Sequence, residues 1–196
     1  GLSQGKNHKN AMLLLDRRTL SFFVSAFQSA VFNATLDERI ERGAFDKVLV
    51  GDIVMKLDNR ATFEATEAVV ADPTTTERLA AFEISPSGPY WGPEMRESSG
   101  VVAELEHRVL GRFGVKPEQF ASAHRDVRGA MAGERRPLRI PLIDPTIEGG
   151  QDEHGPYVRC AFELPRGSFA TVVMRELMKP VADGVGADVE SELEAE

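Results

Sequence analysis

Cysteine is almost missing: Cys160 is the only one in 196 residues. A single thiol cannot close an internal disulfide, so the fold must rest on its core, and a reducing cytosol fits. The place of Cys160 on an alternating apolar strand reads as a buried, inert thiol rather than a nucleophile. No apolar run approaches the roughly 20 residues that span a bilayer, and the N-terminus lacks the apolar stretch of a secretory signal. No glycine-rich loop of the dinucleotide or nucleoside-triphosphate type occurs. The histidines His8, His107, His124 and His154 are widely spaced, and none stands with Cys or carboxylates at metal-ligand intervals, so no metal site is expected. Glu104 and Glu106 do not make an acid/base pair with other carboxylates.

A hydrophobic content of 42% and a charged content of 28% are ordinary for a globular protein, and the length suffices for one full core or two small ones. The net charge of −8 argues against a simple nucleic-acid binder. The charge is uneven, however. Residues 181–196 hold Asp183, Asp188, Glu190, Glu192, Glu194 and Glu196 and no Lys or Arg, and without them the chain carries −2. This tail reads as disordered, either solubilising filler or a shield for a basic surface. The densest basic cluster is Arg125, Arg128, Arg135, Arg136 and Arg139. It has two readings: a phosphate-binding surface, or a solvated face of weak ion pairs.

Periodicity places the elements. A helix is expected over about 21–42, capped by Ser21, with Phe23, Phe27, Ala30, Val31 and Ala34 at three- and four-residue spacing and Gly43 at its end. Val48–Val50 and Ile53–Leu57 read as strands, Asp58-Asn59-Arg60 as a hairpin turn and Thr62–Ala65 as the return strand. Asp72-Pro73-Thr74 opens a short helix. The stretch 84–93, with three prolines and two glycines, reads as a rigid, irregular loop. Helices follow near 99–112, with Leu105 and Val109 facing inward, and near 117–124. Arg135–Asp144 reads as a strand, 145–156 as a loop and Val158–Leu164 as an antiparallel partner strand. A last helix over about Ser168–Met178 is stopped by Pro180. No βαβ rhythm is present, so the fold class is α+β, with mixed or antiparallel sheet segments and packed helices.

Two segments are more specific than their shapes. One is Ser25-Ala26-Phe27-Gln28-Ser29-Ala30-Val31-Phe32-Asn33; the other is the strand–turn–helix Leu164-Pro165-Arg166-Gly167-Ser168-Phe169-Ala170-Thr171 continuing to Arg175-Glu176. Together they resemble the TruD family of tRNA pseudouridine synthases, with its "SAxxSxxFN" helix and its downstream "LPxGSxATxxxRE" segment. Gly51-Asp52 and Ile84–Gly92 stand where the family's insertion domain has its marks. The resemblance covers about residues 16–180. It implies four regions: a helical part of the catalytic domain (1–46), the insertion domain (47–133), a strand–strand–helix part of the catalytic domain (134–180) and the acidic tail (181–196).

The resemblance implies an isomerase that converts a uridine of tRNA, at position thirteen in the family, to pseudouridine in the cytoplasm, with no cofactor. The family's catalytic aspartate and its "NxFGxQRFG" motif lie upstream of the first matching helix, and this chain has neither. Gly1 reads as a tag-cleavage scar. The expectation is therefore a fragment or truncated product, inactive alone, that holds no catalytic residue. Gly167, Ser168 and Thr171 at the last helix start, where backbone N–H groups hold anions, are substrate-site candidates, with Asn33; Gly167 would let backbone approach closely. The plainer reading makes Ser168 a cap, Thr171 a packing residue and Asn33 a support for a neighbouring loop. Tyr90 and Trp91 either stack an RNA base or anchor their loop in a small core. A non-catalytic RNA-binding module of the same descent is the alternative function, and a plain interaction domain a third.

Overall fold

The structure, a computed structural model, describes residues 14–127, 131–165 and 167–179. Arg128, Arg166, the basic lead-in before residue 14 and the acidic tail lie outside the described residues. The chain forms two compact units that divide between Ile140 and Pro141. The elements are α and β mixed, with antiparallel sheets, as the α+β class requires.

The first unit begins with helix α1, Arg17–Glu41. Its cap is Asp16, whose carboxylate accepts from the N–H groups of Arg18 and Thr19 at 2.9 and 3.0 Å and from the Thr19 hydroxyl at 2.6 Å. These bonds hold the Asp16 carboxyl below its usual range, the Thr19 hydroxyl contributing most. The helix thus starts a turn before Ser21, because an aspartate meets the free N–H groups of the first turn first. It ends at Gly43, whose φ of +60° suits glycine. The buried stripe is Leu20, Val24, Gln28, Val31 and Thr35, so the helix is rotated from the expected face. Phe23 and Ala30 are exposed, and Phe27 and Ala34 are only partly buried. By length and composition alone α1 is apolar enough to cross a bilayer, yet its buried stripe belongs to the protein core.

A four-stranded antiparallel sheet has the order β2-β1-β3-β4, from β1 (Ile53–Lys56), β2 (Thr62–Glu64), β3 (Ile84–Tyr90) and β4 (Glu134–Pro137). The Asp58-Asn59-Arg60 turn joins β1 to β2 as expected, with Asn59 Oδ1 accepting from Ala61 N–H at 2.9 Å. Val48–Val50 is not a strand. It leads into a turn held by Asp52, which accepts from Leu49 N–H at 2.7 Å. The expected loop at 84–93 is also corrected: Ile84–Tyr90 is a strand, buried along its length. Only alternate residues of an antiparallel strand donate toward a given neighbour. The strand pairs with β1 over Ile84–Pro86 and with β4 over Ser87–Tyr90, so prolines at 86 and 89 are compatible with it. Short helices α2 (Glu67–Ala71) and α3 (Pro73–Ala80) follow β2, capped by Thr66 and Asp72.

Helix α4 (Gly100–Arg112), a 3-10 turn at Pro117–Gln119 and helix α5 (Phe120–Asp126) complete the unit. One core gathers Leu20, Val24 and Val31 of α1, Trp91, and Leu105, Val109 and Leu110 of α4 with Phe120. A smaller one holds Val48, Val54, Ala65, Leu79 and Ile84. Leu105 and Val109 face inward as the spacing demands.

In the second unit, β5 (Ile143–Asp152) and β6 (Gly155–Glu163) form an antiparallel hairpin, followed by helix α6 (Ala170–Leu177). The expected loop 145–156 is therefore mostly strand. Its glycines mislead, because Gly150 lies opposite Tyr157, whose ring occupies the space of a Cβ, about 2.5 Å away. Glycine here makes room for a cross-strand aromatic ring rather than a turn. The expected strand Arg135–Asp144 is likewise two pieces, β4 and the start of β5, one in each unit. Cys160 is half-buried on β6.

Candidate functional site

The helix carrying Ser25–Asn33 is seated on β3 by its own motif. Ser25 and Tyr90 hydroxyls are 2.6 Å apart, and Tyr90 Oη donates to the Ser25 carbonyl at 2.9 Å. Gln28 Nε2 donates to the Trp91 carbonyl at 2.7 Å from a buried position. Phe32 fills the space over Gly88: a Cβ there would lie 2.8 Å from both Phe32 and Leu138. Ser25, Gln28 and Phe32 thus fix α1 against the sheet, while Asn33 is exposed. Sequence reasoning missed Gln28; its mark was a polar residue on a buried stripe, legible only with the correct helix face.

Tyr90 and Trp91 are buried, which removes them as a platform for RNA bases. Trp91 stacks on Phe120 at 5.7 Å with an 8° interplanar angle, and sits 5.5 Å from His107. An open concavity of about 210 Å³ beside α1 is lined by Gln28, Tyr90, Ala132, Gly133 and Glu134.

The described arginines of the 125–139 cluster stand in different surroundings. Arg135 is buried and clamps Glu106, with Nη1 and Nη2 at 3.0 and 2.8 Å from its carboxylate and Nε at 3.1 Å from the Ser87 hydroxyl. Ser98 also donates to Glu106, at 2.7 Å. Arg135 is therefore unavailable to a polyanion. Arg136 lies over the Tyr90 ring, 3.6 Å from its centre, and donates to Glu134 at 2.8 Å. Arg139 lies over Phe82 at 4.6 Å. Arg125 is exposed on α5.

A second buried pair joins α1 to the Gly51-Asp52 turn. Arg39 donates to Asp52 at 2.7 and 3.1 Å and to the Lys47 carbonyl at 3.0 Å. Burial pushes the Asp52 carboxyl up, and the Arg39 guanidinium and Leu49 N–H oppose it. Gly51 is needed in this turn because its φ is +91° and the Ser99 backbone occupies the place of a Cβ.

In the second unit the strand–turn–helix forms as expected. Gly167 has φ +91°, and nothing lies within 4 Å of where its Cβ would be. Glycine meets the demand of the backbone angle, and the space beside it is open. Ser168 does not cap α6: the N-cap position is Phe169, with no side-chain cap bond. Ser168 is half-buried and Thr171 exposed, so both hydroxyls stand at the helix start without serving it. The turn brings together Gly167, Ser168 and Thr171; Asn33 lies in the other unit.

The model of the family "tRNA pseudouridine synthase D (TruD)" matches residues 2–177. The tRNA pseudouridine synthase D of Geotalea daltonii is 36% identical over 180 residues, covering 91% of this chain and 42% of the relative. That of Geobacter sulfurreducens is 40% identical over 167 residues, covering 85% and 38%. A solved Methanosarcina mazei chain described as a TruD superposes with a TM-score of 0.73 at 27% identity, over 91% of this chain and 42% of that one. The fold is thus that of part of a pseudouridine synthase. The chain belongs to the TruD family, and it spans about two fifths of the length of these relatives.

Proposed function

We propose that this chain is part of a cytoplasmic enzyme that isomerises a uridine of tRNA to pseudouridine, and that the reacting carboxylate comes from the portion of the family fold it does not span. The carrying observation is the 36–40% identity to tRNA pseudouridine synthases over 85–91% of the chain. The reaction breaks the N–C bond between uracil and ribose, turns the base and rejoins it through carbon, with a carboxylate beside the sugar and a pocket for the loose base. Among the described residues, the buried carboxylates Glu38, Asp52 and Glu106 are each held by arginine, which suits support rather than chemistry at a sugar.

In this reading residues 47–133 are the insertion domain, and 1–46 and 134–180 are parts of the catalytic domain. The Gly167–Thr171 turn contributes to the uridine pocket, with the Ser168 and Thr171 hydroxyls near the substrate, and Arg125 and Arg136 contact phosphates. The test is incubation of the purified chain with a tRNA transcript, reading both binding and pseudouridine. Binding without conversion is expected. Conversion by the chain alone contradicts the placing of the carboxylate elsewhere.

A further inference from the structure

Folding gathers three arginines that sequence spacing keeps apart. Arg42 caps the C-terminus of α1, and Arg108 and Arg112 lie near the end of α4. All three converge on Glu38: Oε1 accepts from Arg42 Nη2 at 2.6 Å and from Arg108 Nη2 at 3.3 Å, and Oε2 from Arg112 Nη2 at 2.7 Å. The Arg112 and then the Arg42 hydrogen bonds hold the Glu38 carboxyl below its usual range, so it stays charged. Among the described residues it is the one carboxylate in salt-bridge contact with any of the three.

One carboxylate against three guanidiniums leaves a surplus of two positive charges, on a chain whose net charge is −8. The arginine side chains remain 51%, 45% and 54% exposed, so donors are left for another anion. Fold stability accounts for one of these contacts and not for three: the Glu38 carboxylate is nearly buried and Arg42, four residues on, meets its need for a partner, whereas further guanidiniums that are half exposed add little and repel one another at this spacing. The helix dipole accounts for a cation at each C-terminus, but not for the convergence of three on one acceptor. Guanidinium forks match phosphate oxygens in shape and charge.

We propose that Arg42, Arg108 and Arg112 form a phosphate-binding patch for the backbone of the RNA substrate, with Glu38 as the positioning residue that holds the three forks. This rests on the reading of the chain as part of a tRNA-acting enzyme. The patch differs from the 125–139 cluster, whose Arg135 is locked in the core and whose Arg136 and Arg139 lie on aromatic rings.

The experiment is a titration of the full chain with a transcribed tRNA, at salt concentrations from roughly 50 to 200 mM. Circular dichroism melting accompanies each variant to show that it folds. Arg108→Glu/Arg112→Glu is expected to bind about tenfold or more weakly at low salt, with the slope of log affinity against log salt shallower by about two. Arg108→Lys/Arg112→Lys keeps most of the slope, and Glu38→Gln, which deletes the opposing charge, steepens it. Salt-dependent binding by the wild-type chain, with unchanged affinity and slope in the Glu variant, overturns the patch and leaves the tRNA reading standing. No binding of tRNA by the wild-type chain overturns both.

Discussion

Arg135 and Arg136 are neighbours in sequence with opposite fates, and the difference is set 29 residues upstream by Glu106 on α4. Removing one member of this buried pair leaves the other charge uncompensated, so Glu106→Gln is expected to cost about 3–5 kcal/mol. The urea midpoint of unfolding measures it, and Glu106→Leu/Arg135→Met should recover most of the loss. No local signal separates the two arginines, because strand alternation gives faces but not the partner across the core. For that reason the sequence reading grouped all five arginines together. Glu38 carries a pH prediction. Its folded-state carboxyl lies below the ordinary range, so its contribution is full above that range and is lost as pH falls from there through the lower folded-state value. Asp16 and Asp72 share the direction; for Asp72 the Thr74 N–H bond is the main cause. Melting temperature should therefore decline between about pH 5 and 3, and Glu38→Gln should flatten part of that decline.

Among the elements, α4 and the β1–β2 turn were legible, since an apolar period and an Asp-Asn turn each determine one local shape. The strand β3 was not. Its prolines and glycines carry a loop's composition, yet staggered pairing accommodates the prolines, and Gly88 exists to admit Phe32 and Leu138. The family motif in α1 was visible as a pattern of letters, while the roles of Ser25 and Gln28 came only with Tyr90 and Trp91 in place. Trp91 lies at the centre of the larger core, and Trp91→Ala is expected to destabilise the first unit by about 3–5 kcal/mol in denaturant titration. The second unit leaves apolar side chains uncovered: Val158 is 70% and Phe169 73% exposed, with Val172 and Ile147 beside them in the exposed class. Exposed apolar side chains of this size favour association. The chain alone is expected to bind a hydrophobic dye and to self-associate with rising concentration. Phe169→Ser/Val172→Ser should reduce both while leaving the melting temperature of the first unit unchanged.

For the whole molecule, composition was a poor guide. The negative net charge resides largely in the tail, and the local surplus of positive charge around Glu38, carried by Arg42, Arg108 and Arg112, is assembled by tertiary contacts between α1 and α4. Family membership was readable from two short segments, and the match over residues 2–177 bears that out. The central proposal is a division of labour, in which this chain supplies tRNA contacts and the strand–turn–helix and the rest of the family fold supplies the reacting carboxylate. The most direct test is pseudouridine formation in a tRNA transcript by the purified chain, alone and joined to the remaining part of the Geobacter sulfurreducens relative, which is 40% identical over the shared region. The account predicts no product from the chain alone and product from the joined protein. Product from the chain alone, or none from the joined protein when that relative is itself active, would contradict it.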